Sequence, residues 1–241
     1  MNSILKTETQ LKPSDCDYAE ILSYPDIFAL FMDIATEQSR LFKYDSSVLT
    51  PKGLFWVITK NRALIYRRPK VYETVCLSTC PEKPDRIRGR RNYVMETTDG
   101  EVLIRCTTEW AVLDRNAGRL YQIINLYDPE FDFGNNGSAL PGDFHRFTES
   151  FTGNPFAEYK VRSIDIDFEG HMNNVAYGRA LFGLFSRNML EEMAPKEIEF
   201  QFKSPCFEGD RLLWYQSQTE DGRMISAKLE NGADIFFARL R

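Results

Sequence analysis

Apolar residues recur along this chain at two spacings, and the same change of spacing occurs twice. In the first half Ile27, Leu30, Phe31, Ile34 and Ala35 fall at i, i+3, i+4, i+7 and i+8, the stripe of a helix with one buried face. Tyr177, Ala180, Leu181, Leu184 and Phe185 repeat that stripe in the second half. A period of two then takes over, at Phe55 and Val57, then Ala63 and Ile65, and again at Ile198, Phe200 and Phe202, which predicts strands. Later strand-like runs flank turns at Thr98-Asp99-Gly100 and Asn231-Gly232. Each set of strands also meets a proline in a basic context, Tyr66-Arg67-Arg68-Pro69-Lys70 and Phe202-Lys203-Ser204-Pro205-Cys206.

An offset of 150 positions superposes the two stripes and lays Asp15-x-Asp17 on Asp165-x-Asp167. Pro25 suits the first turn of the first helix, and Asn173 or Asn174 can cap the second. The expectation is an α+β protein of two tandem units, each a long helix wrapped by an antiparallel sheet. The units fall at 1–127 and 157–241. Between them, 128–156 carries Asp-Pro, Gly-Asn-Asn-Gly, Pro-Gly and Gly-Asn-Pro, which is linker chemistry.

With 241 residues, 43% of them hydrophobic, the chain can bury a sizeable core. No run approaches the roughly 18 apolar residues of a membrane span, and the first residues lack the pattern of a signal peptide, so a cytoplasmic location is expected. The five cysteines, at 16, 76, 80, 106 and 206, read as reduced thiols. Cys76-x-x-x-Cys80 has no second pair at zinc spacing, so no metal site is expected. A net charge of −5 argues against a general nucleic-acid binder, yet residues 60–91 hold ten Lys/Arg against three acids. An acidic partner and a solvated outer sheet face both account for that segment.

The densest chemistry is the run Asp165-Ile166-Asp167-Phe168-Glu169-Gly170-His171-Met172-Asn173-Asn174-Val175-Ala176-Tyr177, with Pro205-Cys206 beyond it. It gathers acids, carboxamides and one of only two histidines at a strand-to-helix turn. Asp167 is the candidate base or nucleophile, and His171 would orient water or substrate. Backbone N–H groups from Gly170 to Asn173, at the positive end of the next helix, would hold an oxyanion; Asn174 belongs to the same turn. The plainer readings are equally specific: an Asp before a helix is often an N-cap, a buried His a core residue, and a free Cys such as Cys206 a small hydrophobe. The first copy has Ile21 opposite His171, Ser23 opposite Asn173 and Tyr24 opposite Asn174, which argues for one live site.

The Asp-Ile-Asp-x-x-x-His-Met-Asn-Asn-x-x-Tyr run resembles the signature of acyl-ACP thioesterases of plant-plastid and bacterial type. Trp56-Val57-Ile58-Thr59, Tyr66-Arg67-Arg68-Pro69, Arg90-Arg91-Asn92-Tyr93 and Glu109-Trp110-Ala111-Val112-Leu113-Asp114 extend the resemblance through the first half. It implies two tandem hotdog units, and hydrolysis of fatty acyl-ACP without metal or tightly bound cofactor. It also implies a site in the second half built from an Asp-x-Asn-x-His run and a later Glu-Cys pair. Asp167, His171 and Cys206 match that pattern, whereas Glu169 stands at the Asn position and Pro205 at the Glu position. An ionised Glu169 only accepts hydrogen bonds and so cannot replace an amide donor. The resemblance further implies an acyl groove along Ile27, Leu30, Phe31 and Ile34, and makes Arg67, Arg68, Lys70, Arg86, Arg88, Arg90 and Arg91 candidates for docking the acidic carrier. An acyl-CoA thioesterase, aromatic acyl-CoA included, a hotdog dehydratase and a non-catalytic acyl-thioester-binding module are the competing readings. Pairing of two such chains as a homodimer stays open.

Overall fold

The computed structural model describes residues 3–133, 139–148, 151, 153–220 and 222–241. The Gly-Asn-Asn-Gly turn at 134–137 lies outside the described residues. The chain divides into two compact units, 1–142 and 143–241. No helix among the described residues is long and apolar enough to cross a membrane.

Unit 1 begins with β1 (Leu5–Gln10), a 3-10 turn at Pro13–Asp15 and α1 (Tyr24–Leu41). Ser23 caps α1 by accepting from the Asp26 N–H at 3.2 Å, and Pro25 lies in the first turn, where its missing N–H is not needed. Ile27, Phe28, Phe31, Ile34 and Ala35 are buried, with Phe31 packed against Tyr93 at 5.0 Å between ring centres. Leu30, expected on that stripe, is only half-buried; Phe28 takes its place. A short α2 (Ser46–Leu49) precedes β2 (Leu54–Ile65), β3 (Thr74–Pro81), β4 (Gly89–Thr97), β5 (Val102–Asp114) and β6 (Arg119–Leu120). The antiparallel order is β1-β3-β4-β5-β2, with β6 on β5. Thr98-Asp99-Gly100 makes the β4–β5 turn, with Gly100 at φ 94°.

In β2 the expected alternation through Phe55, Val57, Ala63 and Ile65 does not hold as one phase. A bulge between Ile58 and Lys60 inserts a residue, so Ile58 is buried at 2% exposure while Val57 is half-buried. Period-two reading cannot see such an insertion.

Unit 2 repeats the plan with β7 (Ala157–Lys160), a 3-10 turn at Ser163–Asp165, α3 (Asn174–Gly183), α4 (Arg187–Met193), β8 (Glu197–Phe202), β9 (Arg211–Thr219), β10 (Gly222–Leu229) and β11 (Asp234–Leu240). The order is β8-β11-β10-β9-β7, all antiparallel. The long helix expected here is broken. α3 ends at Gly183, and the Ser186 hydroxyl accepts from the Met189 N–H to start α4, so Leu184 and Phe185 lie beyond α3. Tyr177 on α3 stacks on Phe236 at 5.3 Å, and Phe236 also meets Phe200, Phe202 and Trp214.

The expected linker packs more than its composition suggests. Phe131 and Phe133 join Tyr127, Tyr44 and Phe42 in an aromatic cluster of unit 1. In unit 2 the His145 N–H donates to Glu199, and Phe147 stacks on Phe237 at 5.5 Å. Phe151 joins Met224 and Phe237.

Phe236 is fully buried, whereas Phe168 is 85% exposed. Phe236→Ala is therefore expected to lower unfolding stability by about 3–5 kcal/mol in urea titrations, with Phe168→Ala within about 0.5 kcal/mol of wild type.

Candidate active site

Two turns of identical backbone design sit before α1 and α3. In unit 1 the Asp17 N–H donates to the Ile21 carbonyl at 2.9 Å, the Glu20 N–H to the Asp17 carbonyl at 3.0 Å and the Ser23 N–H to the Asp15 carbonyl at 2.9 Å. In unit 2 the Asp167 N–H donates to the His171 carbonyl at 2.9 Å, the Gly170 N–H to the Asp167 carbonyl at 3.0 Å and the Asn173 N–H to the Asp165 carbonyl at 2.7 Å. The 150-residue offset read from the Asp pairs is thus a structural equivalence. Gly170, at φ 85°, occupies the left-handed position that Glu20 takes at φ 58°.

The equivalence changes after the helices. The Leu22 N–H donates to the Pro69 carbonyl at 2.8 Å, and the Met172 N–H to the Cys206 carbonyl at 2.8 Å. Cys206 therefore corresponds to Pro69, and Pro205 to Arg68; the two prolines matched by sequence context are not partners. Unit 2 has a shorter connection between its helices and its next strand, which shifts the offset by 13, from 150 at Asp17/Asp167 to 137 at Pro69/Cys206.

That shift exposes the main difference between the copies. Asp17 Oδ1 accepts from the Ala19 N–H at 2.9 Å, and its Oδ2 is paired with Arg68 at 2.5 Å. Arg68 also donates to the Leu22 carbonyl and lies over the Tyr24 ring at 4.1 Å. Asp167 Oδ1 likewise accepts from the Glu169 N–H at 2.9 Å, but Pro205 stands at the arginine position and Asn174 at the tyrosine position. Asp167 Oδ2 has no hydrogen-bond or ion-pair partner among the described residues, and the side chain is half-exposed. A carboxylate held by one oxygen and open at the other is placed to take a proton or attack a carbonyl.

The other expected residues fall into place unevenly. His171 is half-exposed at the end of the turn, its ring 5.7 Å from that of Phe207, and Glu169 is half-exposed two residues beyond Asp167. Asn173 caps α3, its side chain accepting from the Val175 N–H at 2.8 Å. The oxyanion role expected of the Gly170–Asn173 amides narrows, because the N–H groups of Gly170, Met172 and Asn173 all donate to backbone carbonyls. The Asn174 N–H, at the start of α3, carries no hydrogen bond among the described residues and remains a donor there.

Cys206 is brought to the turn by its carbonyl, but its thiol is fully buried and shares a hydrogen bond with the Tyr177 hydroxyl. Burial pushes that thiol up to about 11, so it is protonated near neutral pH and a poor nucleophile. Sequence reasoning gave no role to Asp165, yet its Oδ2 accepts from the Tyr159 hydroxyl at 2.8 Å and the Arg162 N–H at 2.8 Å. This brace pins β7 to the turn. Asp165 carried a signal in the repeated Asp pair; Tyr159 carried none, its counterpart in the first copy being Thr9.

Ile27, Phe31 and Ile34, expected to line an acyl groove, are at most 2% exposed in the core of unit 1. Among the candidate docking cations, Arg67 forms a two-pronged pair with Glu73 at 2.8 and 3.0 Å, and Arg68 closes on Asp17. Arg91 is buried, donating to Gln38 and to Thr79. Arg67 and Arg68 are thus engaged in ion pairs, and Arg91 in buried hydrogen bonds. Lys70, Arg86 and Arg88 are exposed, and Arg90 is half-exposed.

Comparison with known proteins agrees with this architecture. Residues 3–128 match the family model for the acyl-ACP thioesterase N-terminal domain, and 149–235 that for the C-terminal domain. The chain is 22% identical over 210 residues to a palmitoyl-acyl carrier protein thioesterase of Gossypium hirsutum, covering 79% of this chain and 50% of that protein. It is 25% identical over 209 residues to an acyl-[acyl-carrier-protein] hydrolase of Cuphea viscosissima, covering 78% of this chain and 48% of the relative. The chain thus spans about half the length of these plant relatives. In fold it is similar to an acyl-ACP thioesterase from Bacteroides thetaiotaomicron, with a TM-score of 0.86 at 17% identity over 99% of this chain and 97% of that one. The 12:0-ACP thioesterase from Umbellularia californica gives a TM-score of 0.85 at 13% identity, covering 100% and 97%. Each unit is accordingly a hotdog, a helix packed on an antiparallel sheet. With both of its halves matched, the chain belongs to the acyl-ACP thioesterase family.

Proposed function

We propose that the protein hydrolyses the thioester of fatty acyl-ACP, releasing the free fatty acid, and that unit 2 carries the chemistry. The observation that supports this most is the open Oδ2 of Asp167, set against its counterpart Asp17, which Arg68 closes. Asp167 takes a proton from water as the water oxygen attacks the thioester carbonyl; the tetrahedral intermediate then expels the pantetheine sulfur, which leaves as the thiol once protonated. His171 orients the water or the thioester, and the Asn174 N–H at the positive end of α3 faces the developing oxyanion. Glu169 lies within the same turn and adds a second acceptor.

Free-thiol release from a chain-length panel of acyl-ACPs and matched acyl-CoAs tests this reading. Turnover with a preference for the carrier-bound substrates is expected; preference for acyl-CoA would favour the second enzymatic reading, and binding of acyl-ACP with no turnover would leave a binding module. His171→Ala should lower kcat by about 10²–10⁴-fold if it serves the proton transfer.

A protonated, buried thiol gives a separate expectation. Cys206→Ala should keep the wild-type pH–rate profile, because the thiol ionises only toward about 11. Loss of turnover in this variant, with its fold intact by circular dichroism, would make sulfur the nucleophile and displace Asp167.

A further inference from the structure

The basic segment 60–91 separates, in the structure, into cations that tie the fold and cations that face outward. Lys60 pairs with Glu109 at 3.6 Å, Arg62 donates to the Pro141 carbonyl, and Arg67, Arg68 and Arg91 are held as described above. Lys83, Arg86 and Arg88 are different. They stand on the hairpin between β3 and β4, all three exposed and none in an ion pair among the described residues. The acids beside them are already engaged. Asp85 Oδ1 accepts from the N–H groups of Ile87 at 2.8 Å and Arg88 at 2.6 Å, and Glu82 accepts from the Asn92 amide at 2.8 Å.

The hairpin is joined to an apolar patch. The Ile123 N–H donates to the Arg86 carbonyl at 3.2 Å, which seats the 3-10 turn Ile123–Leu126 against the hairpin tip. Ile124 in that turn is 37% exposed and Leu120, just before it, 45% exposed. Arg119, also exposed and without an ion pair among the described residues, adjoins Leu120. A small apolar centre bordered by unpaired cations is the anatomy of a surface for an acidic protein partner.

We propose that the β3–β4 hairpin of unit 1, through Lys83, Arg86 and Arg88 with Leu120 and Ile124, docks the acidic carrier protein that delivers the acyl thioester. This rests on the proposed acyl-ACP substrate; it keeps Arg86 and Arg88 of the seven cations that the resemblance made docking candidates and adds Lys83. Charge complementarity selects the partner. The chain as a whole is acidic at −5, so a cationic hairpin on it acts as a local steering field rather than a general affinity for polyanions.

The experiment uses the full chain and separates docking from chemistry. Binding is read with an ACP whose acyl group is amide-linked and resists hydrolysis, and chemistry with an acyl-N-acetylcysteamine thioester that has no carrier. Lys83→Glu/Arg86→Glu/Arg88→Glu should weaken carrier binding about tenfold or more and flatten its salt dependence, while hydrolysis of the small thioester is unchanged. A matched reversal elsewhere, Lys6→Glu/Lys160→Glu/Lys196→Glu, should retain binding. Unchanged carrier affinity in the hairpin variant would overturn the proposal, as would equal weakening by the matched reversal or tighter wild-type binding to anionic phospholipid vesicles than to the carrier. If the wild type hydrolyses no thioester yet the hairpin variant alone loses the carrier, the hydrolase reading fails and the dock stands.

Discussion

A carboxylate fixed in a tight turn needs a counter-charge, a set of donors or water, and the two copies in this chain meet that need differently. Both turns spend one oxygen of the acid on the backbone two residues ahead, at Ala19 and Glu169. The second oxygen of Asp17 receives the guanidinium of Arg68, a charge-assisted bond of the kind worth about 1.5–3 kcal/mol. At the same place Asp167 has only Pro205, which has no charge and no N–H to donate. One copy uses its acid to fasten the loop after β2 to the turn before α1, and the other leaves its second oxygen open.

The rest of the site follows from holding that open acid still. The turn is tied by four backbone hydrogen bonds, one of them to the Cys206 carbonyl, and braced by Asp165 with Tyr159. Tyr177 both anchors α3 in the aromatic core and shares the Cys206 thiol, so the cysteine holds the frame in which His171 sits. Burial raises the Tyr159 hydroxyl to about 12, and its bond to Asp165 adds to that rise, which keeps the phenol a proton donor to the carboxylate near neutral pH.

Much of this was legible in the residues. The helix stripes, both hairpin turns and the Asp15/Asp165 offset came through because periodicity and turn chemistry are local properties. The broken helix after Gly183 and the bulge after Ile58 did not, since each depends on a single cap or insertion that leaves the apolar pattern intact. At the site the turn itself was readable, while the roles of the arginines were not. Arg67, Arg68 and Arg91 look like Arg86 and Arg88 in sequence, and only their partners in space tell fold-holding charge from outward-facing charge. Pro69 and Pro205 misled for a related reason: shared context suggested equivalence, but the backbone bonds pair Pro69 with Cys206.

The asymmetry between the two acids is tested most directly by measuring kcat on one acyl-ACP for Asp17→Asn and Asp167→Asn, with unfolding stability measured alongside. Asp167→Asn should lose about 10²–10⁴-fold in kcat while staying folded, and Asp17→Asn should keep its kcat while losing stability, because Arg68 is left without its carboxylate. A fall in kcat for Asp17→Asn equal to that for Asp167→Asn, or wild-type turnover in Asp167→Asn, would contradict the account.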